Sequence, residues 1–379
     1  MKKVGIFGGS FDPVHKEHFN MAKSVIKELD LDLLYVIPTY KAPHKTGAVA
    51  SDKDRFNMLL ECFKGEPKII VSPYEIESAG VSYSYLTITH FKNLHKDAKL
   101  YFLMGSDMLS SFLTWKNPQI IVDNASLVLT SRSGVNESDK KAILAVETAL
   151  NTKVKVLNYV GLNVSSTQVR LYSSLGLDIS DFVLDGVKNY IEANNLYSGD
   201  YLYEYINKNL PQKRKIHTAG VILTALSLAK KLNVDLKKVE VASLLHDVAK
   251  YLNASDFNDF YIDNNVPKAI EHQFLGAHVA KTILNVQDEE ILDAIRYHST
   301  GKVNMSLLAK IIYVADLIEP NRQYAGVEEL RQKIYEDFES GFSFATQEVL
   351  EFLKRGNEPI YYLANDVANY YKGENLWIQ

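Results

Sequence analysis

The chain changes rhythm near Tyr197, and this change restricts its possible folds more than any other feature. Before that point, short apolar runs rich in β-branched residues (VGIF, LLYVI, KIIVS, LYFLMG, SLVLT and VKVL) alternate with helix-period stretches such as 15–29, 84–95, 137–149 and 165–174. Strand-length runs separated by amphipathic helices build β-α-β units. The expected front half is therefore α/β, a doubly wound, mainly parallel sheet with helices on both faces. In such sheets ligands bind beyond the carboxyl ends of the strands, which favours the residues just after VGIF, LLYVI and LYFLM.

After Tyr197 the strand signals stop. Helical patterning is expected over 204–209, 214–232, 235–252, 256–264, 268–285, 289–297, 305–319, 327–340 and 342–372, with breaks at Pro211, Asn233, Pro267, Gly301 and Pro320. The back half reads as an all-α domain over 204–379, joined to a front domain over 1–197 by a linker at 198–203. A chain of 379 residues accommodates two such cores at about 150 residues each.

Composition narrows the function. Lys and Arg number 42 against 46 Asp and Glu, so the basic excess that nucleic-acid binding requires is missing. The single cysteine, Cys62, can form neither an internal disulfide nor a thiolate zinc site, which fits a reducing cytoplasm. The opening MKKVGIFGGSFDP breaks before a signal-peptide core forms, and no later window is apolar enough for a membrane span.

The first strand runs into GGSFDPVHKEH, residues 8–18. Glycines at a strand end let the backbone approach a ligand, and the next helix begins near His15 with its free amides facing the same space. His15 and His18, three apart, share one face of its first turn. Imidazoles beside backbone donors suit a polyphosphate. The string fits neither GxxxxGK[ST] nor GxGxxG, so P-loop and dinucleotide-binding readings lose their support.

This string resembles the HxGH nucleotidyltransferase superfamily, and within it the bacterial nicotinate-mononucleotide adenylyltransferases. In PTYKAPHK (38–45), Lys41 and Lys45 resemble that family's substrate-side lysines. VSYSYLT (81–87) is similar to its SYT segment, which implies that backbone groups at Tyr83 and Ser84 meet a pyridine carboxylate. GSDML, starting at Gly105, and Trp115 resemble a GxDxL…W stretch in which Asp107 holds a ribose and the indole stacks on the nicotinate ring. Arg132 stands where the family has an Arg-Pro-Gly turn. VSSTQVR (164–170) resembles ISSTxxR, placing Ser166, Thr167 and Arg170 at a helix start.

The resemblance implies that Gly8, Gly9, Ser10 and Phe11 line the substrate site. It assigns His18 to the α-phosphate of ATP, with His15, Lys45, Arg170, Ser166 and Thr167 on the departing phosphates and Mg²⁺ on ATP. One departure stands out. Glu17 replaces the glycine of HxGH, so its carboxylate is expected either to crowd an incoming phosphate or to be forced outward.

The back half collects histidines and aspartates in five segments: His217 in a long apolar helix, His246-Asp247 in LLHDVAK, His272, His298 in YHSTG, and Asp316 in YVADLIEPNR. Such groups on otherwise apolar helices are costly to bury unless paired or bound to cations. The order H…HD…H…H…D resembles the HD-domain metal phosphohydrolases, and LLHDVAK, YHSTG and YVADLIEPNR resemble the bacterial symmetrical diadenosine-tetraphosphate hydrolases. Four His and two Asp offer −2 against the +4 of two divalent ions. Nitrogen and oxygen donors favour iron, manganese or cobalt, with zinc compatible. Lys250, three residues past Asp247, and Arg322 are expected phosphate ligands.

The expectation is a bifunctional cytoplasmic enzyme. One domain adenylylates nicotinate mononucleotide with ATP and the other cleaves diadenosine tetraphosphate to two ADP, with no nucleic-acid or membrane partner. The alternatives are a different phosphorylated acceptor and a helical domain that serves as a nucleotide sensor.

Overall fold

The structure is a computed structural model that describes residues 1–40, 49–78, 80–130, 134–157, 159, 161–356 and 360–373. Two compact units form, one of residues 1–173 with 178–198 and one of residues 174–177 with 199–379.

In the first unit six strands form a wholly parallel sheet: β1 (Lys3–Gly9), β2 (Leu33–Pro38), β3 (Ile69–Val71), β4 (Lys99–Gly105), β5 (Ala125–Thr130) and β6 (Val154–Val156). Their order is β3-β2-β1-β4-β5-β6, so chain direction across the sheet reverses between β1 and β4, and a crevice opens at their carboxyl ends. The helices are α1 (Lys16–Leu29), α2 (Asp52–Cys62), α3 (Tyr74–Glu77), α4 (Ser84–Leu94), α5 (Ser106–Ser111), α6 (Pro118–Asn124), α7 (Glu137–Leu150), α8 (Ser166–Ser174) and α9 (Asp185–Ala193).

Alternation along each strand divides the apolar side chains between two cores. Phe7, Leu34, Val36, Leu103 and Val128 pack against Met21 and Val25 of α1, Leu59 of α2 and Ile191 of α9. Ile6, Ile37, Phe102, Met104 and Leu129 pack on the other face against Ile88, Phe91, Ile121 and Val146. Because both faces are covered, the strands read as nearly continuous apolar runs.

The second unit is helical: α10 (Tyr201–Asn209), α11 (Gln212–Leu232), α12 (Leu236–Leu245), α13 (Lys268–Thr282), α14 (Glu289–Arg296), α15 (Leu307–Ile318), α16 (Val327–Glu336), α17 (Phe338–Arg355) and α18 (Tyr362–Gly373). Short polar caps set several starts. Asp235, Asp288 and Ser306 accept backbone N–H groups of the first turns of α12, α14 and α15. Asp200 likewise caps Leu202 and Tyr203, so helix occupies part of the segment 198–203 expected to be a linker.

Three helix expectations need correction. The 256–264 segment forms only a short 3₁₀ turn at Ala254–Asp256, because its Asp and Asn residues favour local turns over helix. The stretch 342–372 divides into α17 and α18, with Gly356 at the end of the former. The expected helix over 235–252 stops at Leu245, and His246 begins a run of tight turns closed by Val248 N–H donating to Leu245 and Lys250 N–H donating to Asp247. None of the described helices is long and apolar enough to cross a membrane.

Candidate active sites

At the β1–β4 crevice, the carboxyl end of β1 opens onto a cavity of about 420 Å³ lined by Gly8, Gly9, Ser10, Tyr83, Ser84, Asp107 and Trp115, among others. A Cβ at Gly8 would project into open space, so the glycine leaves the backbone bare for close approach. Trp115 is half-buried. Its ring lies 5.3 Å from Phe112, and its Nε1 donates to Ser111 Oγ at 3.2 Å, which fixes one indole face at the cavity wall. Gly105 ends β4, and a Cβ there would stand 3.0 Å from Asp107 Oδ1.

The loop 10–15 that follows is rigidly held. Buried Arg55 donates to the carbonyls of Ser10 (2.6 Å) and Thr39 (2.7 Å). Asp12, also buried, accepts the Val49 and Ala50 amides and the Tyr197 hydroxyl. His15 caps α1 with its ring stacked on His18, centroids 3.7 Å apart, and His18 Nδ1 accepts the His15 amide at 3.3 Å. The start of α8 closes on the same loop. Arg170 Nη1 donates to the Asp12 carbonyl at 2.6 Å, and Ser166 Oγ donates to the Pro13 carbonyl at 2.9 Å. Arg170 also reaches Thr167 Oγ1 at 3.3 Å.

Two expectations change here. Phe11 is 3% exposed, and its ring packs on Gly9 and edge-on to His18 at 5.0 Å, so it supports the loop from within the core and does not line the cavity. Glu17 is not forced outward. It is fully buried, and its Oε2 accepts the Tyr159 hydroxyl at 2.8 Å and the Leu162 amide at 2.6 Å. Those two donors compensate the cost of burying a carboxylate. Lys41, Lys45 and Arg132 lie outside the described residues.

In the helical unit, two triads of potential metal ligands share one residue: His217, His246 and Asp247 form one, and Asp247, His272 and His298 form the other. All five are buried. The outer ring nitrogens of three histidines are already engaged. His246 Nδ1 lies 2.7 Å from the Ser243 carbonyl, His298 Nδ1 lies 2.8 Å from the Ile295 carbonyl, and His217 Nδ1 lies 3.1 Å from Glu319 Oε1. A proton donated there leaves each Nε2 as a lone pair facing inward. The Nε2 atoms meet in pairs, His217 with His246 at 3.3 Å and His272 with His298 at 3.2 Å.

Asp247 Oδ1 lies 3.3 Å from His272 Nε2 and 3.6 Å from His298 Nε2, yet is in hydrogen-bonding geometry with neither. Inward lone pairs around a buried carboxylate oxygen fit a cation better than they fit one another. Asp316 adjoins the first triad through His217 Nε2 at 3.1 Å. Burial opposes its charge, and the Arg322 guanidinium bonded to it favours the carboxylate form. Burial pushes the His272 imidazole down to about 4, so it stays neutral and able to ligate.

The cations expected to bind phosphate stand at this centre. Arg322 is bonded to Asp316 Oδ1, and Lys250 Nζ lies 3.1 Å from His272 Nε2 and 3.9 Å from Asp247 Oδ1. Lys250 arrives there through the tight turns after α12 and not through a shared helix face. Burial holds its ammonium below the usual lysine range.

Comparison with known proteins finds separate relatives for the two units. The Cytidylyltransferase-like family matches residues 6–171 and the HD domain family matches residues 214–321. A Mycoplasma genitalium protein described as a probable nicotinate-nucleotide adenylyltransferase/Ap4A hydrolase is 31% identical over 88% of this chain and 93% of its own length. The chain belongs to this bifunctional adenylyltransferase/hydrolase family. Each half also has single-function relatives. A Clostridium novyi protein described as a probable nicotinate-nucleotide adenylyltransferase is 35% identical over 52% of this chain and all of its own length. The symmetrical bis(5'-nucleosyl)-tetraphosphatase of Bacillus subtilis is 37% identical over 41% of this chain and 88% of its own length.

Within this adenylyltransferase/hydrolase, several residues escape sequence reasoning. Glu75 lines the front cavity, is 7% exposed, and accepts the Thr87 hydroxyl at 2.6 Å; burial raises its carboxyl pKa. In the helical unit Arg214 donates to Asp247 Oδ2 at 2.6 Å. Arg214, Arg322, Lys213 and Tyr251 line a cavity of about 360 Å³ beside His217. Glu319 is 2% exposed against His217. A buried acid next to a ligand has no short-motif signature, although the EPNR string places Glu319 three residues after Asp316.

Proposed function

We propose that the α/β unit transfers AMP from ATP to nicotinate mononucleotide and that the helical unit hydrolyses diadenosine tetraphosphate to two ADP. In the first reaction a phosphate oxygen of nicotinate mononucleotide bonds to the α-phosphorus of ATP, the bond from that phosphorus to the bridging oxygen breaks, and pyrophosphate leaves with Mg²⁺. No protein nucleophile is needed. Positioned donors and cations lower the barrier by aligning two anions and stabilising charge on the non-bridging oxygens. His18 takes the α-phosphate, and His15, Lys45, Arg170 and the Ser166 and Thr167 groups take the departing phosphates. The acceptor's aromatic ring stacks on Trp115, its carboxylate meets the backbone at Tyr83 and Ser84, and Asp107 holds a ribose.

In the helical unit His217, His246, Asp247, His272, His298 and Asp316 would hold two divalent cations, with iron, manganese or cobalt favoured and zinc compatible by donor type. Such ions supply charge neutralisation at phosphorus and a water of lowered pKa. Arg214, Arg322 and Lys250 bind the polyphosphate, and the Nδ1 partners of His217, His246 and His298 keep their Nε2 atoms turned to the centre.

What supports the reading is that His15 and His18 stack at the first turn of α1, that Arg170 bonds the Asp12 carbonyl of the preceding loop, and that two potential ligand triads share one aspartate. The deciding experiment assays the intact chain for pyrophosphate release from nicotinate mononucleotide with Mg-ATP, and for ADP release from diadenosine tetraphosphate after loading with Mn²⁺, Fe²⁺ or Co²⁺. Loss of either activity under these conditions removes the corresponding half of the proposal.

A further inference from the structure

Among the described residues, three side chains, Arg170, Ser166 and Glu17, make hydrogen bonds that join the loop 12–17 to the segment beginning at Gly161 and to Tyr159. Arg170 donates to the Asp12 carbonyl and Ser166 to the Pro13 carbonyl. The third contact exists only because residue 17 has a side chain. Glu17 Oε2 receives the Tyr159 hydroxyl at 2.8 Å and the Leu162 amide at 2.6 Å, from a position between His15 and His18 on the first turn of α1.

We infer that Glu17 is a positioning residue, a buried tether that holds Tyr159 and Leu162 on the first turn of α1 so that the start of α8 stays aligned with His15 and His18. This inference rests on the adenylyltransferase reading above and adds to it a residue that touches no substrate. The chemistry supports a tether. Glu17 is fully buried and lies in the first helical turn, where the unsatisfied amides of the helix favour negative charge. Charge-assisted hydrogen bonds are shorter and about twice as strong as neutral ones, and a 2.6 Å amide contact falls in that class. The tethered segment is four residues from Ser166, so displacement at Leu162 is transmitted directly to the α8 start.

The test uses the full chain with Glu17→Gly, Glu17→Gln and Tyr159→Phe. Amide hydrogen exchange at Leu162 should accelerate by about tenfold in Glu17→Gly, the scale of one lost charge-assisted bond. The same variant should raise KM for ATP severalfold while kcat changes less, because the donors at the α8 start would no longer be held in place for the phosphates. Glu17→Gln keeps an oxygen that can accept the Leu162 amide and should recover most of both effects. Tyr159→Phe removes only one donor and should give an intermediate exchange rate. Wild-type exchange at Leu162 in Glu17→Gly, or faster exchange there with an unchanged KM for ATP, would overturn the inference. The exchange measurement needs no turnover, so a chain that lacks adenylyltransferase activity but shows Glu17-dependent protection of Leu162 would condemn the functional reading and not the tether.

Discussion

Glu319 Oε1 lies 3.1 Å from His217 Nδ1, and the other oxygen of the same carboxylate accepts the Asn321 amide at 2.7 Å. The carboxylate is thus fixed before it fixes the imidazole, and His217 Nε2 is turned toward His246 and Asp316. A carboxylate behind a ligating histidine sets its tautomer and raises its basicity. Glu319→Ala should weaken metal binding by about 10–100-fold, and Glu319→Gln, whose oxygen can still accept the Nδ1 proton, should weaken it less. Competition between the protein and a fluorescent chelator for Mn²⁺ measures both.

Gly220 makes that arrangement possible. A Cβ at this position on α11 would collide with Glu319 Oε2. Gly220→Ala should therefore displace Glu319 and lower Mn²⁺ affinity by an amount comparable to Glu319→Ala, while far-ultraviolet circular dichroism keeps its helical signal.

Asp247 is common to both ligand triads, whereas His298 belongs to one. Elemental analysis of metal-loaded protein should show both ions lost in Asp247→Ala and a single ion retained in His298→Ala. Diadenosine-tetraphosphate hydrolysis should vanish in both.

His18→Ala should reduce pyrophosphate release by about 10²–10³-fold, the usual cost of removing one donor to developing charge. Its hydrolase rate should match the unsubstituted chain. Coupled assays of both products on one preparation check this.

Trp115→Ala removes the aromatic wall of the front cavity while leaving the His15–His18 pair and Arg170 intact. Stacking on an aromatic side chain is worth about 1–3 kcal/mol. KM for nicotinate mononucleotide should rise accordingly, with KM for ATP nearly unchanged, as measured by initial rates over a grid of both substrates.

The six strands stand where the apolar runs place them, because a sheet covered on both faces leaves each strand a short uninterrupted signature. The helix starts at Asp235, Asp288 and Ser306 are local as well, since a cap bonds to amides two or three residues ahead. The residues over 256–264 misled because Phe257, Phe260 and Tyr261 imitate a helical stripe among residues that favour turns.

The sequence by itself determined the change from α/β to all-α architecture, the strand positions and the residue types gathered for each chemistry, because periodicity, caps and donor identity are properties of short segments. Only the tertiary structure decided where each side chain points. It gave Asp247 to both triads, set Glu319 behind His217, sent Phe11 into the core, and bonded Glu17 to Tyr159 and Leu162. Those directions depend on contacts between segments far apart in the chain, and the partners are chosen by packing, which no local spacing records.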